Sequence, residues 1–185
     1  MPSFTRKAIL QTFQELLQKM PFDKITVSAI VARCGISSNT FYYHFHDIYD
    51  LLDAWTAQIW ETCVTKPMET MSWQDTLKAA MRTMQENSEL VYHLFRSISR
   101  ERAERWIFES GGDIFYDLVR REIEGEGVPE ELLRSVSEYT GYSLLGFLLK
   151  FLWKHMDVDI DRSVDRISAI FSGSIRWVTE DQGAV

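Results

Sequence analysis

Apolar residues recur along this chain at helical intervals, and nowhere do they alternate with polar ones for long. Ile9, Phe13, Leu16, Leu17 and Met20 stand at i, i+4, i+7, i+8 and i+11 and predict a helix over about residues 4–20, ended by Pro21. Val27, Ile30, Val31 and Cys34 predict a short second helix, with Thr26 as its N-cap and Gly35 placed to close it in left-handed backbone. Ser37 can cap a third helix. Asp47 can cap a fourth, whose inner face is Ile48, Leu51, Leu52, Trp55 and Ile59 and which Pro67 should stop. Further stripes follow at Leu77, Ala80, Met81 and Met84, at Leu90, Val91, Leu94, Phe95 and Ile98, and at Ile114, Phe115, Leu118 and Val119. The acidic loop "EGEGVPEE" closes the last of these. A long helix over about 129–155 is apolar on most sides, which predicts burial all round. A final helix over about 162–178 carries Val164, Ile167, Ile170, Phe171 and Trp177. The expected fold is all-α.

The third helix poses a question of its own. At about 100° per residue, Phe41 and Phe45 share one face, and Asn39, Tyr42 and Tyr43 share roughly the opposite one. If the phenylalanines enter the core, the tyrosines look outward. A short capped helix, a turn holding Gly35 and a second short helix with an exposed polar-aromatic face make a helix-turn-helix. In such units the second helix enters the DNA major groove. Asn39 can pair with an adenine edge, Thr40 can touch a thymine methyl or a phosphate, and tyrosine hydroxyls can donate to phosphates.

Charge agrees with this polarity. Residues 1–48 hold five Lys/Arg against three Asp/Glu, a net +2, in a chain whose total is −7. A mildly basic head therefore sits on an acidic remainder. No apolar run approaches the roughly 20 residues of a membrane span, and the N-terminus lacks the apolar core of a signal peptide. Cys34 and Cys63 lie far apart and form no metal pattern, which suits free thiols in a reducing cytoplasm.

The stretch "ITVSAIVARCGISSNTFYYHFHDIYDLL", residues 25–52, resembles the DNA-binding signature of the TetR/AcrR family of bacterial transcriptional regulators. Gly35, Ile36, Ser37, Phe41, Tyr42, His44, Phe45, Leu51 and Leu52 carry the match. The resemblance implies a homodimer with a three-helix reading head and a divergent helical body that binds a small effector. It places DNA contacts at Ser37, Ser38, Asn39, Thr40, Tyr42, Tyr43 and His44, with Thr26 on a phosphate. Relatives usually carry a phosphate-facing lysine where this chain has Ile48.

The expected division is a DNA-binding segment at 1–48 and an effector-binding and dimerisation segment at 49–185. Phe147, Phe151, Ile167, Ile170, Phe171, Ser174 and Trp177 are the candidate dimer contacts, an arrangement the resemblance implies. Tyr92, His93, Arg96, Trp106 and Tyr139 are the candidate effector contacts, because polar-tipped residues between helices can converge on a pocket. The stretch "YTGYSLLGFLLKFLWKH" is similar to the bodies of regulators of dihydroxyacetone kinase operons, which act as activators with a protein partner. No catalytic constellation, phosphate loop or metal-ligand spacing is present, so neither an enzyme nor a cofactor is expected. "DVDIDRSVD" reads as a capped helix start. The expected function is a cytoplasmic repressor that binds a palindromic operator. The alternatives are an activator under a protein partner, or a helical ligand-binding protein without an operator.

Overall fold

The structure, a computed structural model, describes residues 4–123 and 128–181; inside the helices the side chains of residues 107, 110–112 and 177–181 lie outside the description. The elements are α1 (Phe4–Leu17), a 3-10 turn (Phe22–Lys24), α2 (Val27–Cys34), α3 (Ser38–His44), α4 (Ile48–Trp60), a π turn (Glu61–Thr65), α5 (Lys66–Met68), α6 (Trp73–Glu86), α7 (Ser88–Phe95), α8 (Arg100–Glu122), α9 (Glu130–Trp153) and α10 (Ile160–Asp181). Among the described residues there is no strand, and no helix is long and apolar enough to cross a membrane. Residues 124–127 of the acidic loop lie outside the description.

Two compact units emerge. One runs to Glu61 and takes in Glu86–Ala103; the other comprises Thr62–Gln85 and the chain from Glu104 onward. The first unit thus reaches past residue 48. The reason is the core: Leu51, Leu52 and Trp55 of α4 and Leu90 of α7 are buried with Ile9, Phe13, Leu17, Ile30, Phe41 and Phe45. The rings of Phe13 and Trp55 meet edge-on at 5.9 Å, and Trp55 Nε1 donates to Gln14 Oε1 at 3.3 Å. His93 Nδ1 donates to the Leu17 carbonyl at 2.7 Å, tying α7 to the end of α1.

The second unit shows its topology through side-chain pairs. Gln74 Nε2 donates to Ser168 Oγ, Lys78 pairs with Asp165, Arg82 pairs with Asp161, and Gln85 Nε2 donates to the Met156 carbonyl. Numbers rise along α6 while they fall along α10, so these helices are antiparallel. α8 and α9 are antiparallel too, with Phe108 against Tyr142 at 4.5 Å and Tyr116 Oη donating to Glu130 at 2.7 Å. They approach closely at Gly141, where an added Cβ would stand 2.9 Å from Phe108 and 3.0 Å from Phe115. Val119, Ile123 and Ile175 form a buried cluster, with Leu133, Val136 and Phe171 packed on it.

Two expectations change. Pro67 does not end α4, which stops earlier, at Trp60; helical turns continue through the π turn, and Pro67 takes an early position of α5. A proline at the start of a helical turn has no missing donor to supply, and a π turn absorbs the change in hydrogen-bond register ahead of it. Nor is α9 buried all round. Tyr139, Tyr142 and Trp153 are each more than three-fifths exposed, although the Tyr142 ring also touches Phe108 of α8. "DVDIDRSVD" is a capped start: the Arg162 amide donates to Asp159 Oδ1 at 3.0 Å.

Candidate nucleic-acid interface

Three caps build the reading head. The Thr26 hydroxyl accepts from the Ala29 amide at 3.2 Å and starts α2. Gly35 stops it with φ 67° and ψ 33°, and the Ile36 amide donates back to the Val31 carbonyl at 3.1 Å. A Cβ at Gly35 would meet nothing, so the left-handed backbone alone calls for glycine here. The Ser37 hydroxyl then accepts from the Thr40 amide at 3.1 Å and opens α3. Asp47 caps α4 through two bonds, from the Tyr49 amide (2.7 Å) and the Asp50 amide (2.9 Å). The Asp50 amide is the main reason its carboxyl lies below the usual carboxylate value. The Asp50 carboxylate accepts in turn from the His46 amide at 2.7 Å, so the end of α3 is stitched to the first turn of α4.

On this frame α3 divides as its spacing predicts. Phe41 and Phe45 are buried, with ring centroids 5.8 Å apart. Ser38, Asn39, Tyr42 and Tyr43 are exposed, Tyr43 at 85%. Thr40 and His44 are half-buried, and the His44 ring lies 5.0 Å from that of Tyr43. The Tyr42 ring stands edge-on to Phe41 at 5.5 Å, which restrains an otherwise free side chain. Thr26 and Ser37 are exposed, with hydroxyls already engaged as caps. The resulting surface is a short helix face of amide, hydroxyl and phenol groups on a rigid apolar base. Such a face can donate to phosphates and read base edges. Arg33 pairs with Glu15 at 2.9 Å, Lys24 pairs with Asp23 at 3.4 Å, and the Arg6 guanidinium lies over the Phe45 ring at 5.3 Å.

Ile48 is half-buried and packs against the head core. A lysine there would trade apolar contact for a charge. Ile48→Lys should cost roughly 1 kcal/mol of stability, as expected for half-burial of such a side chain. The salt dependence of DNA binding should stay as it was. Thermal melts and salt titrations check both; a slope steeper by about one unit per subunit would put position 48 at the DNA backbone.

The remaining candidates fall in both units. Tyr92, His93 and Arg96 belong to the first, where Arg96 lies over the Tyr92 ring at 5.5 Å and His93 is committed to Leu17. Trp106 and Tyr139 belong to the second; Trp106 is half-buried, and Tyr139 faces outward, 64% exposed. Of the dimer candidates, Ile170 is 66% exposed on α10, whereas Phe151 is buried inside the unit. Phe147, Ile167, Phe171 and Ser174 are half-buried, and Phe171 stands edge-on to Trp73 at 5.7 Å. The Trp177 side chain lies outside the description. Tyr142 and Trp153, aromatic residues of the same long helix, are exposed on α9.

The family profile described as "Bacterial regulatory proteins, tetR family" matches residues 9–55, and that of a "Transcriptional regulator C-terminal region" matches residues 71–173. No curated protein sequence gives a significant match. Among solved structures, the chain is similar to the dihydroxyacetone kinase operon activator DhaS, with TM-score 0.67, 17% identity, and 94% of this chain and 97% of that one covered. It is similar to a TetR transcriptional regulator from Streptococcus agalactiae, with TM-score 0.64, 18% identity and coverage of 92% and 93%. It is also similar to NalD, the secondary repressor of the MexAB-OprM multidrug efflux pump in Pseudomonas aeruginosa, with TM-score 0.57, 16% identity and coverage of 90% and 93%. At these identities the neighbours speak for the fold, and the two profiles, which agree with the capped helix-turn-helix and its outward polar face, speak for the lineage: the chain belongs to the TetR family of bacterial transcriptional regulators.

Proposed function

We propose that the protein is a cytoplasmic repressor that binds a palindromic operator as a homodimer and releases it on binding a small effector. The observation that carries this reading is the two-faced α3, with Phe41 and Phe45 buried and Asn39, Tyr42 and Tyr43 outward. Residues 1–48 hold the groups that meet DNA: Thr26 on a phosphate, and Ser37, Ser38, Asn39, Thr40, Tyr42, Tyr43 and His44 along the recognition helix. Residues 49–185 supply dimerisation and effector binding. The dimer face is the exposed apolar side of α9 and α10, with Tyr142, Trp153 and Ile170, since an open apolar patch of this kind marks an interaction site. Trp106 is the effector contact retained from the sequence, and it would report binding by fluorescence.

Selection from random duplexes tests the reading. A palindrome should be enriched whose half-sites lie about 34–36 Å apart or somewhat more, the spacing of successive major grooves. Tyr43→Ala, at a solvent-facing position, should weaken binding to it about tenfold without lowering the melting temperature, in line with the loss of one or two hydrogen bonds to DNA. Enrichment of no palindrome removes the operator. A reporter placed behind the selected site reads the sign: expression falls with a repressor and rises with an activator of the kind for which DhaS is named.

A further inference from the structure

We infer that Arg102 is a positioning residue for DNA reading: it grips the first turns of α4 and, through them, sets the end of the recognition helix. The inference rests on the DNA-binding reading above. Arg102 Nη2 stands 2.7 and 2.8 Å from the two carboxylate oxygens of Asp53, and its guanidinium lies over the Tyr49 ring at 4.7 Å. Tyr49 and Asp53 are four residues apart and so share one face of α4. The Tyr49 ring also meets the Phe22 ring in an edge-type contact, with centroids 5.4 Å apart. Arg102 is itself placed by a cap, since its amide donates to the Ser99 hydroxyl at 3.2 Å.

The consequence follows from how α3 and α4 are joined. The His46, Tyr49 and Asp50 amides all bond to the Asp47 and Asp50 carboxylates, so α3 ends on the turn where α4 begins. A shift of that turn moves Tyr43 and His44 with it. Arg102 belongs to the same compact unit as the reading head yet lies some fifty positions along the chain from the residues it grips. Its segment is anchored a second time by His93 on the Leu17 carbonyl. The guanidinium clamps two neighbouring turns of α4 at once, which a single ion pair cannot do. The clamp is not built for stability alone. Asp53 is well exposed, and Arg102 Nε is buried without a hydrogen-bond acceptor, a cost that an apolar side chain would not carry.

The two roles therefore separate in Arg102→Met. The thioether keeps much of the packing, removes the orphaned donor and leaves Asp53 to water, so the melting temperature should change little. The hold on α4 is lost. In the full-length protein, hydrogen exchange at the His46, Tyr49 and Asp50 amides should quicken about tenfold while the Ala29 amide of α2 keeps its rate, a local opening. Affinity for the selected palindrome should fall about tenfold, within the range usual for coupled sites, with affinity for scrambled DNA and the salt slope unchanged. Asp53→Arg combined with Arg102→Asp should recover operator binding to within about threefold, because the reversed pair bridges the same positions. Unchanged exchange at those amides overturns the inference. So does a loss that is equal on operator and scrambled DNA and follows the melting temperature, which would mark a structural role only. The exchange readout needs no DNA. A wild-type chain that prefers no palindrome therefore overturns the regulator reading, while the hold of Arg102 on α4 is judged separately.

Discussion

Phe41→Ala should lower the stability of the reading unit by about 3–5 kcal/mol, the range for truncating a fully buried aromatic residue. Phe41 has no exposed surface, lies against the rings of Phe45 and Tyr42, and sits in the cluster that joins α1, α2, α3 and α4. A helix of seven residues cannot persist on its own propensity, since isolated helices shorter than about 12–15 residues are marginal in water. α3 is therefore a helix because Phe41 and Phe45 hold it down. Their loss removes the platform for Asn39, Tyr42 and Tyr43 together, and operator binding should fail at temperatures where the wild type is folded. Denaturant titration with an anisotropy assay alongside checks this. A mutant that melts within about 1 kcal/mol of wild type would show that the cavity collapses at little cost and that Phe41 is not the anchor.

Ile170→Glu should dissociate the proposed homodimer. Ile170 is 66% exposed within one chain, so the folded subunit tolerates the change. A two-fold interface contains every position twice, and each subunit would bring one unpaired carboxylate into it. Burial of such a group costs several kcal/mol, and each 1.4 kcal/mol is a factor of ten, so the dimer should weaken by at least about a hundredfold. Operator affinity should fall with it, because one half-site no longer brings in the other. Sedimentation at a series of concentrations measures this directly. Phe171→Glu is the informative contrast. Phe171 packs edge-on to Trp73 and against the cluster of Val119, Ile123 and Ile175, so its replacement should damage the fold of the subunit as well. A folded Ile170→Glu dimer of unchanged affinity would place the interface elsewhere.

The sequence by itself determined the reading head. Its elements are short, their caps are local, and each is decided within three or four residues: Thr26 by the Ala29 amide, Gly35 by a left-handed turn, Ser37 by the Thr40 amide, Asp47 by the Tyr49 and Asp50 amides. The division of α3 into a buried and an exposed face followed from helical geometry alone, and so did the all-helical class. Tertiary structure decided everything that depends on which apolar residue meets which. Ile48 packs against the core. Phe151 turned inward while Tyr142 and Trp153 stayed outside, because a helix that is apolar on most sides does not say which side its neighbour will cover. His93 acquired a partner on α1, and Arg102 a clamp on α4, across sequence separations that no local pattern encodes. Caps and periodicity act within a turn or two of chain and can be read from spacing. Packing and long-range ion pairs depend on the relative placement of whole helices, which is settled only when all of them bury their faces together.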